Sequence, residues 1–216
     1  MLTPMSATVL TATQLRDAFA YAATRFRAEE SRLCALDAAI GDGDHGITMR
    51  LGFDAIEAAL AELDPTAGID VVFQTAGTTF MDSTGGAIGI IFGRMFTATG
   101  RALRGQIALG PAEFIAMIQA MEAGVAKAGK AQPGDRTALD AIHAGAAVVP
   151  QTDLLATMQA AATAAERAAA GTAHLLCKIG RASKLGDRVL GHPDPGATSF
   201  CVLLRALADS LEARGS

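Results

Sequence analysis

The sequence predicts an all-α fold in which a single domain of about eight helices spans residues 1–216, and three observations favour it. Alanine accounts for 47 of the residues, with one tyrosine and no tryptophan. Alanine favours helices, whereas aromatic and β-branched residues favour sheets. Apolar residues recur at the 3.6-residue spacing of an amphipathic helix in six segments. The sequence contains no Asn-Gly hairpin and no alternation of strands with helices.

The helices can be assigned in order along the chain. Six segments carry an apolar stripe on one helical face, which is typical of a helix packed against a core. The stripes are Leu15, Phe19, Ala22 and Phe26; Met49, Phe53, Ile56 and Leu60; Phe114, Ile118, Met121 and Val125; Leu139, Ile142, Ala146 and Val149; Leu155, Met158 and Ala161; and Phe200, Leu204, Leu207 and Leu211. Segments 69–82, 86–100 and 168–180 are apolar but less periodic, and we assign them to helices as well. Proline and glycine mark breaks between helices at 64–65, 110–111, 132–134 and 149–150. We expect disorder in about the first ten residues.

Composition and charge exclude several classes of function. A net charge of −4 leaves no broad basic surface of the kind that binds nucleic acid or anionic membranes. No run of about 18 uncharged apolar residues is present to span a membrane. The three cysteines are widely spaced and form no CxxC pair, so we expect neither a disulfide framework nor a structural zinc site. Because no basic region precedes the first apolar stretch, we expect no secretory signal. The cysteine usage indicates a reducing, cytoplasmic location.

The densest group of chemically active residues lies in the acidic loop, defined as residues 36–46 (LDAAIGDGDHG). This loop places Asp37, Asp42 and Asp44 within eight residues, just before a predicted helix. Three carboxylates so close together repel one another unless a cation neutralises them, and oxygen ligands suit Mg²⁺ or Ca²⁺. The loop therefore predicts a divalent metal site. The alternative is a solvated turn in which Asp44 caps the following helix.

Three further glycine-rich segments lie at the ends of predicted helices, at residues 83–89, 134–137 and 180–199. Free backbone N–H groups and the positive end of the helix dipole suit phosphate oxygens at such positions. Each segment taken alone could also be an ordinary turn. We expect Asp135 to cap a helix that begins at Arg136, and the alanine-rich stretch 156–173 to pack closely against other helices.

Taken together, four motifs resemble those of the L subunit of dihydroxyacetone kinase, DhaL, which is a nucleotide-binding subunit. They are LDxxIGDGDHG at 36–46, GGAxG at 85–89, PGDRTxLDA at 133–141 and GRASxLGxRxxGHxDPGATS at 180–199. In order and spacing they cover almost the whole chain, and the last motif is long enough to be very specific. The resemblance implies a barrel of eight antiparallel helices that holds ADP or ATP in the loops at one end.

The resemblance also implies roles for individual residues. Asp37, Asp42 and Asp44 correspond to ligands of two Mg²⁺ ions that bridge the nucleotide phosphates, and through these ions they would be catalytic together with Arg181. The other implied nucleotide contacts fall into three groups. Those at the phosphates are His45, Gly46, Ile47, Thr48, Gly86, Ala87 and Ile88; those lining the nucleotide pocket are Gly129, Ala138 and Arg181; and those closing it are Pro193, Asp194 and Pro195.

Three of these positions depart from the family pattern. The family often has serine at the position of Ile88, asparagine at that of Thr48 and methionine at that of Ala138. Isoleucine at position 88 lacks a side-chain donor for phosphate, so only its backbone N–H could serve. The smaller Ala138 leaves looser packing beside the base.

The function implied by the resemblance is the Mg-nucleotide half of a kinase. In the family a separate K subunit holds dihydroxyacetone or a related short ketose covalently on a histidine, so we expect a hetero-oligomer with a K-type partner that is not fused to this chain. Two forms remain open: ATP exchanges at each turnover, or ADP stays bound and is recharged by a phosphotransferase-system phosphocarrier. Two other functions also remain open, namely a nucleotide-sensing regulatory module and a metal-dependent phosphohydrolase.

Overall fold

The computed structural model describes residues 9–215, except for the side chain of Arg181, and it confirms the all-α prediction. Eight α-helices make up most of this range: α1 (Ala12–Ala38), α2 (His45–Ala61), α3 (Ile69–Ser83), α4 (Gly86–Ala102), α5 (Pro111–Gly129), α6 (Ala138–Ala146), α7 (Leu154–Gly171) and α8 (Pro195–Gly215). Within the described range, none of them is both long enough and apolar enough to cross a membrane.

Short elements complete the described part of the chain. Two 3-10 segments, Thr172–His174 and Arg181–Val189, lie between α7 and α8. Two-residue strands, β1 (Leu10–Thr11) and β2 (Ala108–Leu109), pair in antiparallel fashion. The disorder expected at the N-terminus concerns mainly residues outside the described range, although Leu10 is buried in β1.

The eight helices form a closed ring. Each helix packs against the next one in the sequence, and α8 packs against α1. The first turns of α2, α4, α6 and α8 all contribute residues to one cavity, so these four helices begin at the same end of the ring. Neighbouring helices are therefore antiparallel, as the resemblance implied. We call the end at which α2, α4, α6 and α8 begin the site end.

The core has an aromatic half and an alanine-rich half. All nine phenylalanines are buried, and seven of them belong to α1–α4. Their rings pack against one another, with Phe26 and Phe53 stacked at a centroid distance of 4.1 Å. On the other side of the ring, Ala161, Ala162 and Ala165 of α7 are fully buried. Small side chains allow helix axes to approach closely, which agrees with the packing predicted for residues 156–173.

The start of α6 differs from the prediction. Thr137 occupies the N-cap position, where its hydroxyl accepts a backbone hydrogen bond and its own N–H donates to Asp140 at 2.7 Å. The prediction that Asp135 caps a helix beginning at Arg136 is therefore wrong. Arg136 has a left-handed φ of 62°, which is incompatible with a helix start, and the Asp135 carboxylate instead accepts a hydrogen bond from Gln132 N at 2.8 Å.

Two other local predictions are wrong because a backbone break interrupts an apolar segment. Val149 is 74% exposed beyond the end of α6, since a residue that precedes a proline disfavours helical backbone. Segment 168–180 is helical only as far as Gly171, after which the chain forms a short 3-10 turn and then irregular backbone. This irregular part of the chain crosses the site end.

Candidate functional site

A cavity of about 310 Å³ lies at the site end of the barrel. Because α2, α4, α6 and α8 all begin there, four helix N-termini converge on it. First-turn N–H groups have no acceptor within their own helix and lie at the positive end of the helix dipole, so this arrangement favours an anionic ligand. The predicted site residues that line the cavity are Asp37, Asp42, Asp44, His45, Ala87, Ile88, Gly129, Ala138, Asp194 and Pro195.

The acidic loop holds three carboxylates at one edge of the cavity. Asp37, Asp42 and Asp44 each offer an oxygen atom, and these oxygens all lie within 4.8 Å of one another. Asp37 Oδ2 accepts a hydrogen bond from Gly43 N at 2.8 Å, and the left-handed φ of 79° at Gly43 allows this tight turn. Asp44 occupies the N-cap position of α2 but makes no side-chain capping hydrogen bond. The capping hydrogen bond that the alternative gives Asp44 is therefore absent, and the metal site in place of a solvated turn stays a prediction.

His45 is a buried anchor beside these carboxylates. Its Nε2 lies in a hydrogen bond 2.7 Å from Ser199 Oγ, which ties the start of α2 to α8. Burial lowers the pKa of His45 to about 4, although the negative charge of Asp37 acts in the opposite direction. The imidazole is therefore neutral at pH 7. The next residue, Gly46, packs so tightly on α1 that a Cβ there would lie 2.9 Å from Cys34 N.

Not every predicted phosphate contact lines the cavity. Residues 46–48 lie in the first turn of α2 outside the cavity wall, and Ile47 is 42% exposed. In the first turn of α4, residues 87–88 line the cavity, whereas Gly86 lies beside it with a φ of 71° and no atom within 4 Å of the place a Cβ would take. The side chain of Arg181 is outside the described part of the structure. The roles predicted for these residues stay predictions.

Much of the rest of the cavity lining is apolar. This apolar wall consists of Ile88, Ile91, Val125, Gly129, Ala131, Ala138 and Ile179. Gly129 leaves room in it, because a Cβ at this position would come within 3.2 Å of Ile91 Cδ1. An apolar wall next to an anion-binding edge suits a ligand with a flat ring at one end and phosphates at the other. Sequence reasoning missed Ile91, Val125, Ala131 and Ile179, whose apolar patterns look like those of ordinary core residues.

The connection between α7 and α8 closes one side of the cavity. Asp194 caps α8, because its Oδ1 accepts a hydrogen bond from Ala197 N at 2.8 Å, and its own N–H donates to Thr172 Oγ1 at 2.8 Å. Burial raises the pKa of Asp194 to about 6. Pro195 is the first residue of α8, a position that proline favours. Pro193 lines a different cavity, on the outer wall between α1, α7 and α8.

The sequence matches the DAK2 domain over residues 39–209, which is most of the chain. The chain belongs to the DAK2 domain family. It is 35% identical over 191 residues to the ADP-binding subunit DhaL of the PEP-dependent dihydroxyacetone kinase of Escherichia coli (strain K12), a match that covers 85% of this chain and 89% of the relative. The ADP-binding subunit DhaL of PEP-dependent dihydroxyacetone kinase 2 of Listeria innocua is 34% identical, with 85% and 88% covered. This DAK2 chain is also 36% identical to the Homo sapiens triokinase/FMN cyclase, matching 85% of its own length but 32% of that protein.

The fold is also found in a solved kinase. The dihydroxyacetone kinase of C. freundii in complex with AMP-PNP and Mg²⁺ has a TM-score of 0.70 and 26% sequence identity to this DAK2 chain. The match covers 97% of this chain and 36% of the solved chain, so the chain spans about a third of that kinase. The all-α fold, the resemblance to DhaL subunits and the assignment to the kinases are confirmed.

Proposed function

We propose that this DAK2 domain is the nucleotide-binding, phosphoryl-transferring subunit of a kinase that acts on dihydroxyacetone or a related short ketose. One observation carries the proposal: a cluster of three carboxylates and four helix N-termini share a cavity whose remaining lining is largely apolar. The carboxylates suit divalent cations, the N-termini suit phosphates and the apolar wall suits a base. A Mg-nucleotide combines these three features in one ligand.

The donor set of the acidic loop fits magnesium. All three donors are carboxylates, which is the ligand type that Mg²⁺ prefers. We propose that Asp37, Asp42 and Asp44 hold two Mg²⁺ ions, which when bound neutralise charge on the phosphates. The acidic loop itself keeps the carboxylates in place. Gly43 N–H holds the Asp37 carboxylate, and Gly41 makes room for it, because a Cβ at position 41 would overlap Asp37 Oδ1.

The nucleotide would lie across the cavity from the acidic loop to the apolar wall. Its phosphates would meet the first turns of α2 and α4, where His45, Ala87 and Ile88 line the cavity. Its base would pack between Gly129 and Ala138. The ADP-binding names of the bacterial relatives and the AMP-PNP complex of the solved kinase support a nucleotide as the ligand.

The acceptor alcohol belongs on a second protein. Among the described residues that line the cavity, the acids of the acidic loop are assigned to metal, Asp194 caps α8 through Ala197 N, and the neutral His45 is held by Ser199. None of these arrangements leaves a base for a sugar hydroxyl. We therefore propose a hetero-oligomer with a K-type subunit that presents the ketose. In the transfer, the terminal phosphorus forms a bond to the ketose oxygen as its bond to the nucleotide breaks, and the hydroxyl proton passes to a base on the partner.

The relatives that this chain covers almost completely support one of the two possible sources of phosphate. The E. coli and Listeria subunits are both named as ADP-binding and PEP-dependent. We propose that ADP stays bound in this chain as well and is recharged by a phosphocarrier of a PEP-driven system. Exchange of ATP at each turnover is the competing form.

The test is a reconstituted assay in which the chain is mixed with a K-type subunit and dihydroxyacetone. Phosphate is supplied either by excess ATP or by PEP with its phosphocarrier proteins, and dihydroxyacetone phosphate is measured. We expect dihydroxyacetone phosphate only when both subunits are present and when phosphate comes from PEP through the phosphocarrier proteins. Product with ATP alone would favour the exchanging form. Nucleotide hydrolysis without sugar phosphate would instead indicate a phosphohydrolase, and binding without either reaction a nucleotide-sensing module.

A further inference from the structure

Arg136 is the largest fully buried side chain in the described part of the chain, with 0% of its surface exposed. It lies in the connection between α5 and α6, directly after a turn in which Gly134 has a φ of 90°. Arg136 itself has a left-handed φ of 62°, which is costly for any residue other than glycine. The backbone is thus held in an unfavourable conformation at the residue whose charged side chain is buried.

The guanidinium of Arg136 is only partly satisfied by its neighbours. Nη2 donates to two backbone carbonyl oxygens, that of Val189 at 3.2 Å and that of His192 at 2.6 Å. Nε and Nη1 are buried and have no hydrogen-bond partner. Because an arginine cannot lose its proton in a protein, a buried guanidinium with two unpaired nitrogens reduces the stability of the fold. A buried, partly unpaired guanidinium that lines a ligand cavity indicates a role in the site.

The contacts of Arg136 point to that role. Val189 and His192 belong to the connection between α7 and α8, which continues directly into Asp194 and Pro195 at the cavity wall. Burial raises the pKa of Asp194, and the positive charge of Arg136 acts against that rise, which favours the ionised form that caps α8. Arg136 also lines the cavity itself. One side chain therefore joins the loop before α6 to the segment that starts α8.

We propose that Arg136 is a positioning residue for nucleotide binding, which pins segment 189–194 so that the first turn of α8 forms part of the cavity wall. The inference rests on the proposed function for the identity of the ligand. Arg136 acts through the carbonyls of Val189 and His192 and through Asp194. Its unpaired donors lower the stability of the fold, but its contacts fix the position of the first turn of α8 in the cavity wall.

The variant Arg136→Met tests this role, because methionine fills much of the volume without charge or donors. We expect the free energy of unfolding to stay the same or to rise, and the affinity for Mg-ADP to fall at least tenfold. Trypsin should also cleave the folded chain several-fold faster after Lys178, Lys184 or Arg188, which lie in the connection held by Arg136. Arg136→Lys keeps the charge and a donor, and it should recover part of the affinity and of the protection.

A matched control lies at the end of the barrel opposite the site end. Arg16 likewise donates to two backbone carbonyl oxygens, those of Leu63 and Asp64 after α2, at 3.2 and 3.3 Å. Arg16→Met removes the same kind of contact far from the cavity, and it should change neither the Mg-ADP affinity nor cleavage between α7 and α8.

Several results would overturn the inference. One is an Arg136→Met variant that does not fold or is strongly destabilised, which would make the residue a structural one. Another is an unchanged affinity together with unchanged cleavage. Proteolysis requires no nucleotide, so it tests whether Arg136 holds segment 189–194 even if the wild-type chain binds no Mg-ADP. A wild-type chain that binds no Mg-ADP would contradict the proposed function and not the role of Arg136 in holding this segment.

Discussion

At the scale of single residues, the acidic loop depends on glycine as much as on aspartate. Gly43 adopts a backbone conformation that other residues rarely tolerate, and its N–H holds the Asp37 carboxylate. Gly41 provides the space into which that carboxylate fits. The oxygens of three acids can therefore meet within 4.8 Å, at a position where a cation offsets their repulsion.

The first prediction concerns the metal ligands. Asp42→Asn should weaken Mg-dependent ADP binding by about 100-fold or more. Even the loss of a residue that only hydrogen-bonds to a metal ligand typically lowers metal affinity by about 10- to 100-fold. Helical content measured by circular dichroism should not change. The control is Asp64→Asn in the α2–α3 connection, where the side chain only accepts hydrogen bonds from Thr66. Equal affinities of the two variants in equilibrium dialysis would refute the metal assignment.

A second prediction concerns the departure from the family pattern at Ile88. This residue is half-buried, packs against the core and lines the cavity. Ile88→Ser should lower the free energy of unfolding by about 1–2 kcal/mol through lost apolar contacts. Because the serine hydroxyl can donate to a phosphate, the affinity for Mg-ADP should stay the same or rise several-fold. Collapse of the fold in urea titrations would show instead that Ile88 acts mainly as a core residue.

A third prediction concerns pH and His45. Its pKa is about 4 in the folded chain and near 6.5 when unfolded, so the unfolded state takes up the proton first on acidification. Stability is therefore lost as the pH falls from 6.5 towards 4, by about 2 kcal/mol between pH 7 and pH 5. His45→Gln should remove this part of the pH dependence. Urea unfolding in EDTA at pH 7 and at pH 5 measures the free energy of unfolding of both proteins. An equal loss of this free energy between the two pH values in wild type and variant would contradict the prediction.

At the scale of helices, close backbone contact sets the position of α2. A Cβ at Gly46 would overlap Glu30 O and lie 2.9 Å from Cys34 N, both on the backbone of α1. By contrast, Gly171 at the end of α7 has helical dihedral angles and no atom within 4 Å of such a Cβ. The two glycines thus differ in what an added methyl group meets.

Alanine substitutions at these glycines should therefore change stability in opposite directions. Gly46→Ala should destabilise the fold by about 2 kcal/mol or more, because α1 and α2 must separate. Gly171→Ala should stabilise it by about 0.5 kcal/mol, since alanine restricts the unfolded chain. Thermal unfolding of both variants measures this difference. A stable Gly46→Ala protein would contradict the tight contact between α1 and α2.

Helices were predictable from sequence wherever a continuous apolar stripe faces the core. Phe19, Phe26 and Phe53 show this, because each is fully buried as its spacing indicated. The stripe failed at Val149, where Pro150 changes the backbone although the apolar spacing continues. The predicted helix start at Arg136 was also wrong, since a left-handed φ at a non-glycine residue leaves no mark in the sequence.

At the scale of the whole molecule, the candidate site arises where the closed ring brings distant segments together. The three acids could be found from the sequence because they are close together along it. Ile91, Val125 and Ile179 could not, because only the packing of α4, α5 and the α7–α8 connection places them on one wall. The burial of Arg136 was equally hidden, since arginine usually lies at the surface.

The most direct test of the account is a calorimetric titration of ADP into the nucleotide-free chain, once with Mg²⁺ present and once in EDTA. We expect one ADP to bind per chain when Mg²⁺ is present, with little or no binding in EDTA, because the phosphates approach three carboxylates that only a cation can neutralise. Absence of binding with Mg²⁺, or equal affinity in EDTA, would contradict the central claim that this cavity is a Mg-nucleotide site.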